Sequence, residues 1–208
     1  MYKRQLGELV EDNPERLAPW LADSRWYVVR NAVIAVAAAD GGAPVGLLKP
    51  LVRHTDLRVR QEVVAALAGA DPDAARPLLL ELIRDEEPSI RGAALHQLGS
   101  RRNAQASAAL LALVMDPAFR KSTLDEVRSV TIALGGCAGD EVLPQLEEQL
   151  YAPSWFSQGA GPYCQAIARC MARIGSEDAV TRIERGALSR VPATRDACKL
   201  VLKGMGRG

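Results

Sequence analysis

The sequence predicts an all-α solenoid of five to six antiparallel helix pairs, and three observations lead there. A phrase recurs along the chain: Asp23-Ser-Arg-Trp-Tyr-Val-Val-Arg-Asn-Ala-Val33, then Thr55-Asp-Leu-Arg-Val-Arg-Gln-Glu-Val63, then Glu86-Glu-Pro-Ser-Ile-Arg-Gly-Ala-Ala94. A looser copy is Leu124-Asp-Glu-Val-Arg-Ser-Val-Thr131, and degenerate copies start at Gly161 and Val191. Aligning Arg30, Arg60, Arg91, Arg128, Gln165 and Arg195 gives spacings of 30, 31, 37, 37 and 30 residues, a period expected of a stacked repeat. Second, a short leucine-bearing segment precedes each phrase. Third, aromatic residues make up only 4% of the chain against 48% hydrophobic, so the interior must be aliphatic and suits closely packed helices.

The elements follow in order. Leu17–Ala22, Val45–Val52 and Ala74–Ile83 read as short first helices, with leucines at spacings of three and four. Second helices begin near Asp23 or Ser24, near Thr55 or Asp56, and near Glu87 to Ser89. There Ser, Thr and Asp can cap orphan amides, and Pro tolerates the first helical position. Val28, Val29, Ala32, Val33 and Val36 form one apolar stripe; Val59, Val63, Val64 and Leu67 form the next. Asp40-Gly-Gly42, Gly69 and Gly99-Ser100 end these helices. The pattern continues as Gln105–Met115 with Leu124–Gly135, Glu141–Tyr151 with Tyr163–Ile174, and Glu177–Ser189 with Pro192–Lys203. The repeats are placed at about residues 14–41, 44–70, 73–101, 104–138, 140–175 and 177–205, as a single repeat domain over 1–208. No such pair buries its apolar faces alone, so neighbours must stack.

Two insertions break the period, at Asp116–Ser122 and Tyr151–Pro162, both between first and second helix and hence at one rim. Trp155 and Phe156, in the Pro/Gly-rich second insertion, carry two open readings: packing back over the last repeats, or anchoring a partner.

Composition narrows the classes. Charged residues are 25% and the net charge is +1, so the whole molecule advertises neither nucleic acid nor membrane. No apolar run reaches the ~18 residues of a membrane span, and the first ten residues lack a secretory apolar core. Cys137, Cys164, Cys170 and Cys198 contain no CxxC pair and read as buried thiols, which points to a cytoplasmic chain; a metal or disulfide framework is the other reading. His54 and His96 lie in different repeats with no second imidazole at ligand spacing, so no metal is expected. Gly-Gly at 41–42 and 135–136 lacks the Lys and Ser/Thr of a phosphate loop. No catalytic constellation and no cofactor site emerges.

The phrases Asp56-Leu-Arg-Val-Arg-Gln-Glu-Val-Val-Ala-Ala-Leu67 and Pro88-Ser-Ile-Arg-Gly-Ala-Ala-Leu-His-Gln-Leu-Gly99 resemble HEAT repeats, particularly the short bacterial kind called PBS-lyase-like. The resemblance runs from about Pro14 to Lys203. It implies a right-handed superhelix with second helices lining the concave side, and members that mostly bind proteins. Asp23, Asp56, Asp85 and the aligned arginines match the family's turn acid and second-helix base, which can ladder adjacent repeats together.

The functional expectation is a non-catalytic scaffold that binds a protein partner through Arg25, Arg30, Arg58, Arg60, Arg91 and Arg128, through the 151–162 loop, or through both. The structural alternative is that the aligned arginines bridge turn acids and carbonyls internally. Two other classes stand beside this reading. One is a nucleic-acid-binding HEAT-like protein of the alkylpurine DNA glycosylase type, with Trp26, Tyr27 and Asp23 imitating its pocket. The other is a chromophore-lyase-like protein. Trp20, Trp26 and Tyr27 also read as aromatics closing an exposed end, as in a fragment of a longer array.

Overall fold

A computed structural model describes residues 14–39, 42–152 and 160–207. Among them every regular element is helical: twelve α-helices joined by turns and short 3-10 segments, with no strand. The chain divides into two compact units, Met1–Gln97 and Leu98–Gly208.

In the first unit, a 3-10 turn Pro14–Leu17 leads into α1 (Ala18–Leu21), followed by α2 (Trp26–Ala37), α3 (Val45–Leu48), α4 (Leu57–Leu67), α5 (Pro72–Leu82) and α6 (Pro88–Leu98). The expected first helix over residues 45–52 is split. After α3 the backbone tightens to a 3-10 turn, Lys49–Leu51, because Pro50 has no amide to donate and its ring crowds the carbonyl one turn back. Second helices are longer and carry the stripe. Val28, Val29, Ala32, Val33 and Val36 are buried in α2, and Val59, Val63, Val64 and Leu67 in α4. The two helices pack on each other.

Helix α2 starts at Trp26, two or three residues later than the polar turn suggests. Its Asp23 accepts the amide of Arg25 at 2.8 Å, closing a turn ahead of the helix. Asp56 caps α4 in the same way, accepting from the Arg58 amide, and Asp71 caps α5 through the Ala74 amide. Gly42 takes φ +90°, and a Cβ there would lie 2.7 Å from the Gly69 carbonyl oxygen; only glycine meets both demands.

The second unit holds α7 (Ala104–Met115), α8 (Leu124–Cys137), α9 (Leu143–Tyr151), α10 (Ala160–Ile174), α11 (Glu177–Ala187) and α12 (Pro192–Gly204). Caps are Asn103, Thr123 and Ser176. Helix α10 is the centre, packed against α8, α9, α11 and α12, with Tyr163, Cys164, Ile167, Ala168, Cys170, Met171 and Ile174 buried. The Gly135-Gly136 pair is a contact point: a Cβ on Gly136 would sit 2.0 Å from the Gly99 carbonyl oxygen.

All four cysteines are buried. Burial pushes the Cys137 thiol up to about 11 and that of Cys198 to about 12, since a thiolate is poorly solvated there. No helix among the described residues is long and apolar enough to cross a membrane.

Candidate interaction surface

The aligned arginines divide by register. Within α4, Val59, Val63 and Leu67 match Ile90, Ala94 and Leu98 of α6 in burial, so Arg60 and Arg91 occupy equivalent places. Their bonds are equivalent too. The Arg60 Nη1 donates to the carbonyl oxygens of His54 (2.8 Å) and Thr55 (3.4 Å); the Arg91 Nη1 donates to those of Asp85 (2.8 Å) and Glu86 (3.0 Å). Each fork thus ties a second helix to the turn before it. Arg30 lies one place along: the buried stripe matches Val29, not Arg30, to Arg60.

Arg60 also reaches the next repeat. Its Nη2 donates to Asp85 Oδ1 at 3.2 Å and Glu86 Oε1 at 3.1 Å, joining one repeat to the turn of the next. Its Nε is 2.9 Å from Asp85 Oδ2, an ionic approach without hydrogen-bond alignment. Both side chains of the Arg60–Asp85 pair are 7% exposed, so this cation lies under the surface. Arg30 makes the corresponding step earlier, pairing with Glu62 across 32 residues in a half-exposed position.

Arg25 and Arg58 form a different pair. Each closes a bidentate fork on the aspartate two residues back: Nε to Oδ1 at 2.9 and 3.0 Å, Nη2 to Oδ2 at 2.8 and 2.7 Å. The Arg25 guanidinium, then its amide, holds the Asp23 carboxyl down at about 2; Arg58 lowers Asp56 in the same way. Both guanidinium groups remain about half exposed. That of Arg58 lies 3.3 Å from the Trp26 ring centroid, and Trp26 meets Tyr27 edge-on at 5.9 Å. Tyr27 is 48% exposed. The result is an outward strip, Arg25–Tyr27–Trp26–Arg58, whose members are fixed by forks and stacking. Aligning the arginines alone gives no sign of this strip. Its signal is the repeated Asp-x-Arg at Asp23 and Asp56.

A cavity of about 480 Å³ in the first unit is lined by Arg53, Arg60 and Arg84 with Glu81, Asp85 and Glu86. Opposite charges balance, and the Arg53–Glu81 and Arg60–Asp85 pairs are already made.

In the second unit Arg128 pairs loosely with Asp125 of its own helix, at 3.8 Å. The first insertion reaches the flanks of the second: Arg120 Nη2 (2.9 Å) and Tyr163 Oη (3.0 Å) both donate to the buried Gln149 Oε1. Trp155 and Phe156 lie outside the described residues. His54 accepts the Asp56 amide at Nδ1, 3.0 Å, a turn-building role. Among the described residues no group of three or more His, Cys, Asp and Glu is placed to hold a metal ion.

Stacked two-helix repeats with arginine clips define a helical-repeat scaffold, a class that presents extended surface. Residues 44–135 match the family model described as HEAT repeats, and the helix pairs on either side of that stretch are consistent with the same repeat type. HEAT repeats generally mediate protein–protein interaction. No curated protein matches it. Among solved structures, two engineered proteins from the Northeast Structural Genomics Consortium align at 16% and 18% identity. The first comparison covers 93% of this chain and 96% of the other, with a TM-score of 0.47; the second covers 94% and 99%, with 0.48. A third engineered protein from the same source aligns at 17% identity and TM-score 0.51, over 94% of this chain and 58% of that one. At that identity the third likeness concerns the fold alone.

Proposed function

We propose that this protein is a non-catalytic interaction module that holds another protein against the second-helix side of its repeats. The observation that carries the reading is the fixed strip Arg25–Tyr27–Trp26–Arg58. Trp, Tyr and Arg are the residue types that dominate interface energetics. Here the forks on Asp23 and Asp56 hold both guanidinium groups before any partner arrives, which lowers the ordering cost of binding. Arg30 and Arg91 of the same unit, and Arg128 of the second unit, are further partly exposed cations, and Arg60 ties its helix to the turns on either side. The rival contact is the loop bearing Trp155 and Phe156.

The test is affinity capture from the native source, followed by direct titration of the recovered partner against variants. Arg25→Glu with Arg58→Glu should weaken binding by about tenfold or more at unchanged helicity. Retained affinity in that variant, with loss in Trp155→Ala/Phe156→Ala at unchanged melting temperature, would move the contact to the loop. Retained affinity in both would refute the reading.

A further inference from the structure

Four exposed cations of the second unit that make no ion pair to a described residue lie in one register, on successive second helices. Helix α10 continues from Gln165 to Arg169 and Arg173; helix α12 continues from Arg195 to Lys199 and Lys203. Each set is spaced i, i+4, i+8, one stripe along a helix. Gln165 and Arg195 are the repeat-equivalent positions, so Arg169 and Lys199 share one register position and Arg173 and Lys203 the next, with the Arg173 side chain lying toward Gly135 and Gly136 of α8. Helices α10 and α12 pack directly on each other, and α8 packs on the other side of α10. Along α8 the equivalent positions are Arg128 and Ile132, 46% and 52% exposed.

Exposure and pairing separate this patch from the arginines of the first unit. Arg169, Arg173, Lys199 and Lys203 are all exposed. Arg30, Arg58, Arg60 and Arg91 use their donors on neighbouring turns and acids, whereas these four make no ion pair to any described residue. Charge is also segregated. Helices α10 and α12 carry five cations (Arg169, Arg173, Arg195, Lys199, Lys203) and one acid, Asp196. Helices α9 and α11 carry five acids (Glu147, Glu148, Glu177, Asp178, Glu184) and two arginines, and Glu147 holds both Arg182 and Arg185. Glu147, Asp178 and Glu184 pair with Arg182, Arg185 and Arg207, and among the described residues no acid of α9 or α11 makes an ion pair with the second-helix stripe.

We infer that the α8–α10–α12 face of the second unit is a docking surface for an acidic, amphipathic helical segment of a partner protein, centred on Arg169, Arg173, Lys199 and Lys203. This rests on the reading of the chain as an interaction module and supplies the chemistry of its partner. Four residues of helix advance about 6 Å, so carboxylates at every fourth position of a partner helix repeat with the cations of each row. The two rows are separated by about 8–10 Å, the usual distance between packed helices, which suits a helix laid along the groove between them. Ile132 and Leu200, both just over half exposed, border the cations and give an apolar edge to such a segment. Nucleic acid fits less well: no exposed aromatic ring lies on α8, α10 or α12 to stack a base, and the chain as a whole is nearly neutral.

The test uses the full chain and fluorescence anisotropy with three labelled probes: a synthetic helical peptide with Glu at every fourth position and Leu on the adjoining face, its Glu→Gln twin, and a DNA duplex. The wild type should bind the Glu peptide about tenfold or more tightly than the Gln twin, and more tightly than the duplex. Arg169→Glu with Lys199→Glu should erase that preference at unchanged helicity and melting temperature. Should the double reversal melt the fold, Arg169→Gln with Lys199→Gln reads the same loss without new acids. Equal binding of the two peptides, preference surviving the substitutions, or tighter binding of the duplex would each overturn the inference. If Arg25→Glu with Arg58→Glu removes the preference instead, this face is refuted while the module reading stands. If the preference is intact but the native partner ignores both surfaces, the module reading fails by itself.

Discussion

Replacing Arg60 by methionine separates a structural clip from a surface cation. Methionine keeps most of the apolar stem and removes the guanidinium. Asp85, whose side chain is 7% exposed, then keeps the Glu87 amide bond at 2.9 Å but loses its buried counter-ion, and the His54 carbonyl loses a 2.8 Å donor. Removing one partner of a buried ion pair costs about 3–5 kcal/mol. With an unfolding entropy of about 2.1 cal/mol/K per residue over 208 residues, melting should fall by roughly 7–11 °C. Urea denaturation followed by circular dichroism measures the loss, and Arg60→Met/Asp85→Leu should recover much of it, since no orphan charge remains. Arg30→Met is the contrast. Its pair with Glu62 is 38% and 24% exposed, where such bridges contribute only about 0–1 kcal/mol. An Arg60→Met variant within about 0.5 kcal/mol of wild type, at unchanged denaturant slope, would refute the clip.

The remaining expectations concern close packing and buried thiols. Gly136→Ala should destabilise by about 1–3 kcal/mol, because its Cβ would meet the Gly99 carbonyl at 2.0 Å; Gly92→Ala, with nothing within 4 Å, should gain about 0.5–1 kcal/mol in thermal melts. A thiol reagent at pH 8 should label no cysteine at appreciable rate until denaturant is added, with labelling counted by mass spectrometry; prompt native labelling of Cys170 or Cys198 would contradict their burial. Above pH 9 stability should decline. The unfolded thiols ionise near their ordinary value of 9.0, whereas Cys137 and Cys198 hold their protons to about 11 and about 12. The folded state therefore binds more protons in that window, and rising pH favours unfolding. Cys137→Ala should flatten the decline in pH-dependent melts.

How much of this was legible in the sequence depends on the range of the interaction. The twelve helices followed from local stripes and breakers, and their ends fell within a few residues of expectation, because caps such as Asp56 and Ser176 act inside one turn. The broken α3 was legible in principle from Pro50. What could not be read was which arginine reaches which acid. Arg60 meets Asp85, 25 residues on, while Arg30 meets Glu62, 32 residues on, and a one-residue slip in the alignment changes a buried clip into a half-exposed pair. Arg58 over Trp26 joins two repeats through a stack that no single phrase contains. Gly135-Gly136 looked like a failed phosphate loop and is a site of close backbone approach.

The same second-helix register is thus put to two uses along the chain, and local acid supply decides which. In α4, the turn acids of the next repeat come within reach at Asp85 and Glu86, so Arg60 is drawn inward and buried. In α10 and α12 the register passes to Gln165 and to Arg195, whose Nε donates to the adjacent Asp196. The cations one and two turns further on make no ion pair to any described residue. A guanidinium with a buried carboxylate partner is costly to break and therefore unavailable to a ligand. One left solvated at high dielectric adds little to the fold and keeps its charge for encounter with an acidic surface. The sequence alignment that found the ladder pointed at Arg60, its most buried member. The unpaired cations on which the inferred docking surface rests sit one turn away, at the positions that Arg169 and Lys199 share.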